Sequence, residues 1–313
     1  MLHASRGAAA AASRRLDLSG IMPPIPTPFN RDESIAMDKL ADNMRAWNAW
    51  PLAGYVVQGS NGEYPLMGTE ERIEMVRQVR KFTPNGKLVI AGSSCESTQM
   101  TIDMSNKMAD AGADAVMVIS PSYFKSSMTP QALKKHFLHV AEGSRVPVIL
   151  YNMPANTGID MGAPLITELA QHPNIIGMKE SGGDITKIAR VVHETKNIDF
   201  QVIAGSTSFL LPSLLVGAVG GINGLANMLG NEVCEIYRLA SEGKYKEATE
   251  LHGRIQAPNA LVTREFGVPA MKEAMDMFGL YGGPCRRPLQ PLTDDQRIQL
   301  RETFKKSGFI PVK

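Results

Sequence analysis

Cysteine is scarce in this sequence, which contains three in 313 residues: Cys95, Cys234 and Cys285. Because they are far apart and odd in number, they argue against a disulfide-stapled secreted fold and indicate a reducing compartment. The sequence also lacks the CxxC and H-E-x-x-H patterns of common zinc sites. It therefore gives no reason to expect a bound metal ion.

Long apolar runs and a dominant charge sign are also missing. No apolar run approaches the roughly 20 residues that a membrane helix needs. The 33 basic and 31 acidic residues leave a formal charge of +2, so neither a nucleic acid nor an acidic membrane is an expected partner. The length fits one (β/α)8 barrel with an extension, although two smaller domains would also fit it.

The first 19 residues differ in composition from the rest of the chain. They carry Arg6, Arg14 and Arg15 among alanines and serines, and no acidic residue precedes Asp17. This composition is typical of an organellar transit peptide. We predict a mitochondrial transit peptide at 1–19 and a location in the mitochondrial matrix. The alternative is a disordered arm with no targeting role.

From residue 20 onward, short apolar runs alternate with longer segments of helical pattern. Strands are predicted at 20–25, 54–58, 87–91, 115–119, 147–151, 175–179, 200–204 and 218–222. Most are continuously apolar, as expected where both faces of a parallel strand are buried. Strand signals stop beyond about residue 230, so we predict a (β/α)8 barrel over 20–242 and a helical extension over 243–313. The alternative, a doubly wound sheet, would need a G-x-G-x-x-G turn after the first strand, where this chain has PPIPTPF.

Catalytic groups of such barrels lie at the carboxyl ends of the strands, and there this chain places hydroxyls, glycines and one lysine. Lys179 closes an apolar strand, and strand alternation predicts that it shares a face with Gly177 and Ile175. An amine attacks a carbonyl carbon only when it is neutral, and an apolar environment disfavours the ammonium form. Lys179 is therefore a candidate for imine formation. The alternative is a structural lysine, paired for example with Glu180.

Tyr151 ends the neighbouring predicted strand, so its hydroxyl could reach the same mouth of the barrel. Imine chemistry needs a proton relay, which a hydrogen-bonded tyrosine can provide; the alternative is a core tyrosine with a satisfied hydroxyl. His136 and His139 have a spacing that could suit a metal, but no carboxylate or cysteine partner is evident, and a solvated helix face is the favoured interpretation. Cys95 lies near the mouth without an obvious base.

Three segments resemble the dihydrodipicolinate synthase / N-acetylneuraminate lyase superfamily: GSNGE at 59–63, YNMPANTG at 151–158 and GMKES at 177–181. The resemblance implies a (β/α)8 Schiff-base lyase or synthase that acts on pyruvate or a similar keto acid without a cofactor. Within this superfamily, QHPNIIGMKESGGD, VTREFGVPAMK and FGLYGGPCRRPL resemble the mitochondrial 4-hydroxy-2-oxoglutarate aldolases of animals. That narrower resemblance implies cleavage of 4-hydroxy-2-oxoglutarate to pyruvate and glyoxylate in hydroxyproline catabolism.

Alternatives to that reaction remain within the superfamily: a sugar-acid or sialic-acid aldolase, or a dihydrodipicolinate synthase. A non-catalytic barrel with a binding or regulatory role is a further alternative from a different class. It would leave no adduct when pyruvate and borohydride are added.

The resemblance also assigns roles to individual positions. Lys179 corresponds to the imine lysine and Tyr151 to the proton-transfer tyrosine. The positions that bind the substrate or orient the tyrosine correspond to Ser60, Asn61, Ser181 and Gly205. Tyr123 corresponds to an aromatic relay residue that in this superfamily often enters a neighbouring subunit's site, which implies a homotetramer.

Asn156 departs from the synthase pattern, in which an arginine usually occupies this position and binds a carboxylate of the aldehyde. A neutral amide cannot form a bidentate charged pair with a carboxylate, so Asn156 argues against the synthase. However, 4-hydroxy-2-oxoglutarate has two carboxylates, and the sequence shows no obvious arginine for the second. We expect Ser181, Asn61 and backbone amides to bind it together.

Overall fold

The computed structural model describes residues 16–312. Residues 1–15, which form most of the predicted transit peptide, lie outside the described residues, so targeting stays a prediction. Within residues 16–312, no helix is both long enough and apolar enough to cross a membrane.

The described residues contain a sheet of eight parallel strands. The strands are β1 (Gly20–Met22), β2 (Gly54–Val57), β3 (Leu88–Gly92), β4 (Ala115–Ile119), β5 (Val148–Asn152), β6 (Ile175–Glu180), β7 (Gln201–Ala204) and β8 (Gly220–Ile222). Their order is β1-β8-β7-β6-β5-β4-β3-β2. Backbone hydrogen bonds close the ring beside β2, where the Ile25 amide donates to Val56 O and the Val56 amide to Pro23 O, each at 3.0 Å. The predicted (β/α)8 barrel is therefore confirmed.

Helices surround the barrel and follow it. Those within the barrel are α1 (Met37–Asn48), α2 (Thr69–Phe82), α3 (Thr98–Asp110), α4 (Pro130–Gly143), α5 (Pro154–Thr157), α6 (Ala163–Leu169), α7 (Ile185–Glu194), α8 (Leu210–Leu215) and α9 (Gly230–Ser241). The chain then forms α10 (Tyr245–Arg254), α11 (Gln256–Ala260), α12 (Gly267–Met277) and α13 (Asp294–Lys306). A π-helical turn, Leu261–Glu265, joins α11 to α12.

Two apolar layers explain why the strands are continuously apolar. One layer lies between the strands and the surrounding helices, and the other fills the barrel interior with side chains that include Met22, Met117 and Ile203. Each strand therefore buries both of its faces.

The amino-terminal end of the barrel is packed by residues that the sequence places in the predicted leader. Leu18 is fully buried in the interior layer. Its amide donates to Gln201 Oε1, and Gln201 Nε2 donates to Leu16 O, both at 2.9 Å. The packed structure therefore begins ahead of residue 20.

Candidate active site

A cavity of about 460 Å³ lies at the carboxyl ends of the strands. It is lined by six of the residues that the sequence analysis selected: Ser60, Asn61, Tyr151, Lys179, Ser181 and Gly205. They come from the ends of β2, β5, β6 and β7, whose parallel order brings distant segments to one mouth. The structure thus places the candidate nucleophile, relay and binding groups together, while their roles remain predictions.

Lys179 and Tyr151 are directly paired across β6 and β5. Each is 4% exposed, and Lys179 Nζ lies 4.2 Å from the centroid of the Tyr151 ring. Tyr151 Oη lies 3.3 Å from Ser60 Oγ, and either oxygen can be the donor. The phenol and the Ser60 hydroxyl can therefore share a proton, and the Lys179 amine lies against the face of the tyrosine ring.

The start of β6 differs from the prediction. Its pairing with β5 is irregular, because Val148 pairs with Ile175 while Ile149 pairs with Gly177. Ile175 consequently packs in the outer layer and Ile176 against the barrel interior, so the expectation that Ile175 shares the face of Lys179 was wrong. Uniform alternation cannot anticipate an extra residue in a strand.

Gly177 is explained by a close approach between strands. A Cβ at this position would lie 2.3 Å from Gln201 O of β7. Its missing side chain therefore allows β6 and β7 to pack closely beneath Lys179.

Glu180 does not pair with Lys179. Its carboxylate is fully buried on the other side of β6, where Oε2 lies 3.2 Å from Lys187 Nζ and accepts a hydrogen bond from Asn152 Nδ2 at 2.9 Å. Lys187 also pairs with Asp160. Burial raises the pKa of Glu180 despite the nearby Lys187 ammonium. This cluster fixes the ends of β5 and β6, and it leaves Lys179 without a carboxylate partner among the described residues.

The turn after β2 holds Ser60 and Asn61 through left-handed backbone at both ends. Gln58 has φ of 61° and Glu63 has φ of 58°, a region that costs energy for residues other than glycine. The side chain of Glu63 is buried and pairs with buried Lys272 of α12, with 2.5 Å between Oε1 and Nζ. Glu63 Oε2 also accepts a hydrogen bond from the Arg286 amide at 2.8 Å. The helical extension thus holds this turn in place.

Ser181 and Gly205 occupy adjacent positions in the cavity wall. Ser181 Oγ is buried and has no hydrogen-bond partner among the described residues, so its hydrogen-bonding capacity is unused within this part of the chain. A Cβ at Gly205 would lie 1.9 Å from this oxygen and 2.5 Å from Glu180 O. Only glycine fits at position 205 without displacing the hydroxyl of Ser181.

Tyr123 is separate from this cavity. It is 80% exposed and packs edge-on against Phe124, which is 69% exposed. Glu96 Oε2 accepts hydrogen bonds from the amides of Ser122 and Tyr123 and so holds their loop. Within one chain, the structure does not bring Tyr123 to Lys179.

Asn156 lines a second cavity, which also measures about 460 Å³ and shares Ser60 with the first. Among the described residues, the segment after β5 therefore contributes no lysine or arginine to the wall of the Lys179 cavity.

The structure adds site residues that the sequence analysis did not select. The α11–α12 region supplies Gln256, Thr263 and Arg264 to the cavity wall. Thr263 and Arg264 lie within VTREFGVPAMK, which carries part of the resemblance but no recognisable chemical pattern, and Gln256 lies ahead of it without any signal. The described residues contain no group of three or more histidine, cysteine or acidic residues that could hold a metal ion.

Comparisons with known proteins agree with this geometry. The model of the dihydrodipicolinate synthetase family matches residues 17–307. A 4-hydroxy-tetrahydrodipicolinate synthase of Methanosarcina acetivorans is 34% identical, over 93% of this chain and 99% of its own. That of Methanoculleus marisnigri is 33% identical, over 92% of this chain and 99% of its own.

Solved structures show the same similarity. A dihydrodipicolinate synthase of Bacillus anthracis superposes with a TM-score of 0.89 at 29% identity, covering 93% of this chain and 98% of its own. YagE, an E. coli K12 protein solved in complex with pyruvate, has a TM-score of 0.87 at 27% identity, covering 93% and 99%. The names of these synthases match the alternative kept within the superfamily rather than the 4-hydroxy-2-oxoglutarate aldolases. The chain belongs to the dihydrodipicolinate synthetase family.

Proposed function

We propose that this protein is a Schiff-base aldolase that cleaves 4-hydroxy-2-oxoglutarate to pyruvate and glyoxylate. The observation that carries the Schiff-base chemistry is the buried pair of Lys179 and Tyr151, with Ser60 in reach of the tyrosine hydroxyl. A buried lysine without a carboxylate partner is suited to act as a nucleophile. Membership of the family and the structure of YagE with pyruvate support a pyruvate-type substrate.

Substrate binding uses the groups around this pair. Ser60 and Asn61 bind the C1 carboxylate, and this places the C2 ketone beside Lys179 Nζ. The unpaired Ser181 hydroxyl supplies a further hydrogen bond. Holding the ketone near the amine makes their reaction effectively unimolecular.

The reaction then proceeds in three stages. The neutral amine of Lys179 adds to C2, and Tyr151 moves the protons that allow water to leave, forming the imine. Tyr151 next removes the proton of the C4 hydroxyl, the C3–C4 bond breaks, and glyoxylate leaves. The electron pair of that bond remains on the pyruvate fragment as an enamine. Protonation at C3 and hydrolysis of the imine release pyruvate and restore Lys179.

A dihydrodipicolinate synthase is the second candidate, and the names of the relatives favour it. Against it stands Asn156, which replaces the carboxylate-binding arginine usual in those synthases and lies in the neighbouring cavity. At about one-third identity, imine chemistry is more readily inferred from relatives than the identity of the second substrate.

Trapping and product analysis together test the proposal. Pyruvate with borohydride should leave an adduct on Lys179, and the Lys179→Met variant should leave none. 4-Hydroxy-2-oxoglutarate should yield glyoxylate, while condensation of pyruvate with the synthase's aldehyde substrate should be negligible. An adduct on another residue would overturn the mechanism. An adduct on Lys179 with condensation but no glyoxylate would identify the synthase instead.

We also propose a homotetramer in the mitochondrial matrix. The exposed Tyr123 and Phe124 rings form an apolar surface suited to contact with another subunit. The proposal of mitochondrial targeting rests on the arginine-rich leader alone. Import of the full chain into isolated mitochondria would test this proposal.

A further inference from the structure

The wall of the Lys179 cavity contains a cation that the proposed reaction does not use. Among the described residues that line it, the ionisable side chains include Lys179 and Arg264, and none is an aspartate or glutamate. Lys179 is the nucleophile, so it is committed to the C2 carbon. Arg264 is then an exposed cation at the edge of this cavity with no catalytic task.

Arg264 has no carboxylate partner among residues 16–312. Most arginines of this structure do, as in Arg297 with Glu273 or Arg286 with Glu71. A guanidinium that faces a cavity unpaired is ready to form a bidentate pair with a bound carboxylate.

The backbone that presents Arg264 is unusual and well anchored. It is the π-helical turn Leu261–Glu265, in which the Phe266 amide donates to Leu261 O at 3.0 Å. Such turns occur frequently at functional sites. Thr263 Oγ1 donates to Asn259 O at 2.6 Å, and Asn259 Nδ2 donates to Ser206 Oγ at 3.2 Å. The turn is therefore tied to the loop after β7.

Gly224 places this turn next to the C1 carboxylate position. A Cβ at Gly224 would lie 3.1 Å from Asn61 Nδ2 and 3.5 Å from Thr263 Cγ2. Asn61 and the turn thus face each other across about the width of one methyl group. Ser60, Asn61, Lys179 and Arg264 all line this one cavity.

We propose that Arg264 binds the distal carboxylate of a dicarboxylic keto acid and thereby selects this substrate class. This inference rests on the proposed function, and it supplies the arginine that the sequence did not reveal. It replaces the expectation that Ser181, Asn61 and backbone amides together bind the second carboxylate. It also explains how a second carboxylate can be bound although Asn156 occupies the position where the synthases usually have arginine.

The test compares two keto acids of equal chain length, 2-oxoglutarate and 2-oxopentanoate, which differ in the distal carboxylate. Each is titrated with borohydride, and the concentration that gives half-maximal labelling of Lys179 is measured. For Arg264→Gln we expect this concentration to rise roughly 10- to 100-fold for 2-oxoglutarate, the loss typical of a hydrogen bond to a charged group. It should stay within about twofold for 2-oxopentanoate.

Two further variants complete the design. Arg264→Lys keeps the charge but not the planar fork, so it should recover part of the loss. Arg45→Gln removes an exposed arginine on α1 and should leave both titrations unchanged. Equal effects of Arg264→Gln on both keto acids, or no effect on either, would overturn the inference.

Cleavage of 4-hydroxy-2-oxoglutarate is measured separately on the wild-type protein. If the titrations behave as expected but no glyoxylate forms, the proposed reaction fails while Arg264 keeps its role for dicarboxylates. If glyoxylate forms but Arg264→Gln binds 2-oxoglutarate normally, the reaction stands and the assignment of Arg264 fails.

Discussion

The buried ion pair between Lys272 and Glu63 should decide whether the turn that carries Ser60 and Asn61 stays in place. Lys272 is 1% exposed and Glu63 is 2% exposed. Lys272 Nζ also donates to Pro284 O at 2.8 Å and lies 4.6 Å from the centroid of the Phe29 ring. Lys272→Met keeps the length of the side chain but leaves the Glu63 carboxylate buried without its cation.

Removing one partner of a buried ion pair costs about 3–5 kcal/mol, because the remaining charge stays desolvated. For a chain of this size that corresponds to a fall in Tm of roughly 5–8 °C. The double variant Lys272→Met/Glu63→Gln removes both charges and keeps an acceptor for the Arg286 amide. Its stability should return to within about 1–2 kcal/mol of wild type, since neutral replacement of a whole pair is often tolerated.

Urea unfolding followed by circular dichroism measures these differences, and pyruvate labelling of Lys179 reports on the site. Lys305→Met is the matched control, because Lys305 pairs with Glu302 in an exposed position, where ion pairs contribute little. A loss below about 1 kcal/mol for Lys272→Met would refute the reasoning about burial. So would a double variant that is less stable than Lys272→Met alone.

Three further outcomes are expected. His136 is buried, so the expected solvated helix face was wrong for this residue, and burial lowers its pKa to about 4. Below about pH 6.5 the folded state therefore binds fewer protons than the unfolded chain, and stability should fall by about 2 kcal/mol between pH 7 and pH 5. His136→Gln should flatten this dependence when unfolding is measured at each pH. Gly205→Ala should displace the Ser181 hydroxyl and lower the free energy of unfolding by about 1–3 kcal/mol through overpacking. The lost contact should lower kcat/KM by at least about 10-fold, and wild-type kinetics would contradict this. Replacing Tyr123 and Phe124 with serine should reduce the mass measured by light scattering while circular dichroism stays unchanged, and an unaltered mass would place the subunit contact elsewhere.

The sequence by itself determined the barrel and brought together the candidate reactive groups. Strands with both faces buried need continuous apolar runs, so eight such runs were recognisable without coordinates. Lys179 and Tyr151 were identifiable because each ends an apolar strand, and parallel strands end at the same mouth. The GSNGE, YNMPANTG and GMKES segments added the family.

Only the tertiary structure decided which charges meet. Glu180 is paired with Lys187 and not with its neighbour Lys179. The reason is that β6 directs the side chains of Lys179 and Glu180 to opposite faces. The irregular pairing at Ile175 depends on the register with β5, which no local pattern specifies. Arg264 enters the cavity from a turn 85 residues beyond Lys179 in the chain. Contacts between residues so far apart in the chain arise from tertiary packing. Local sequence patterns predict only the relations between residues a few positions apart.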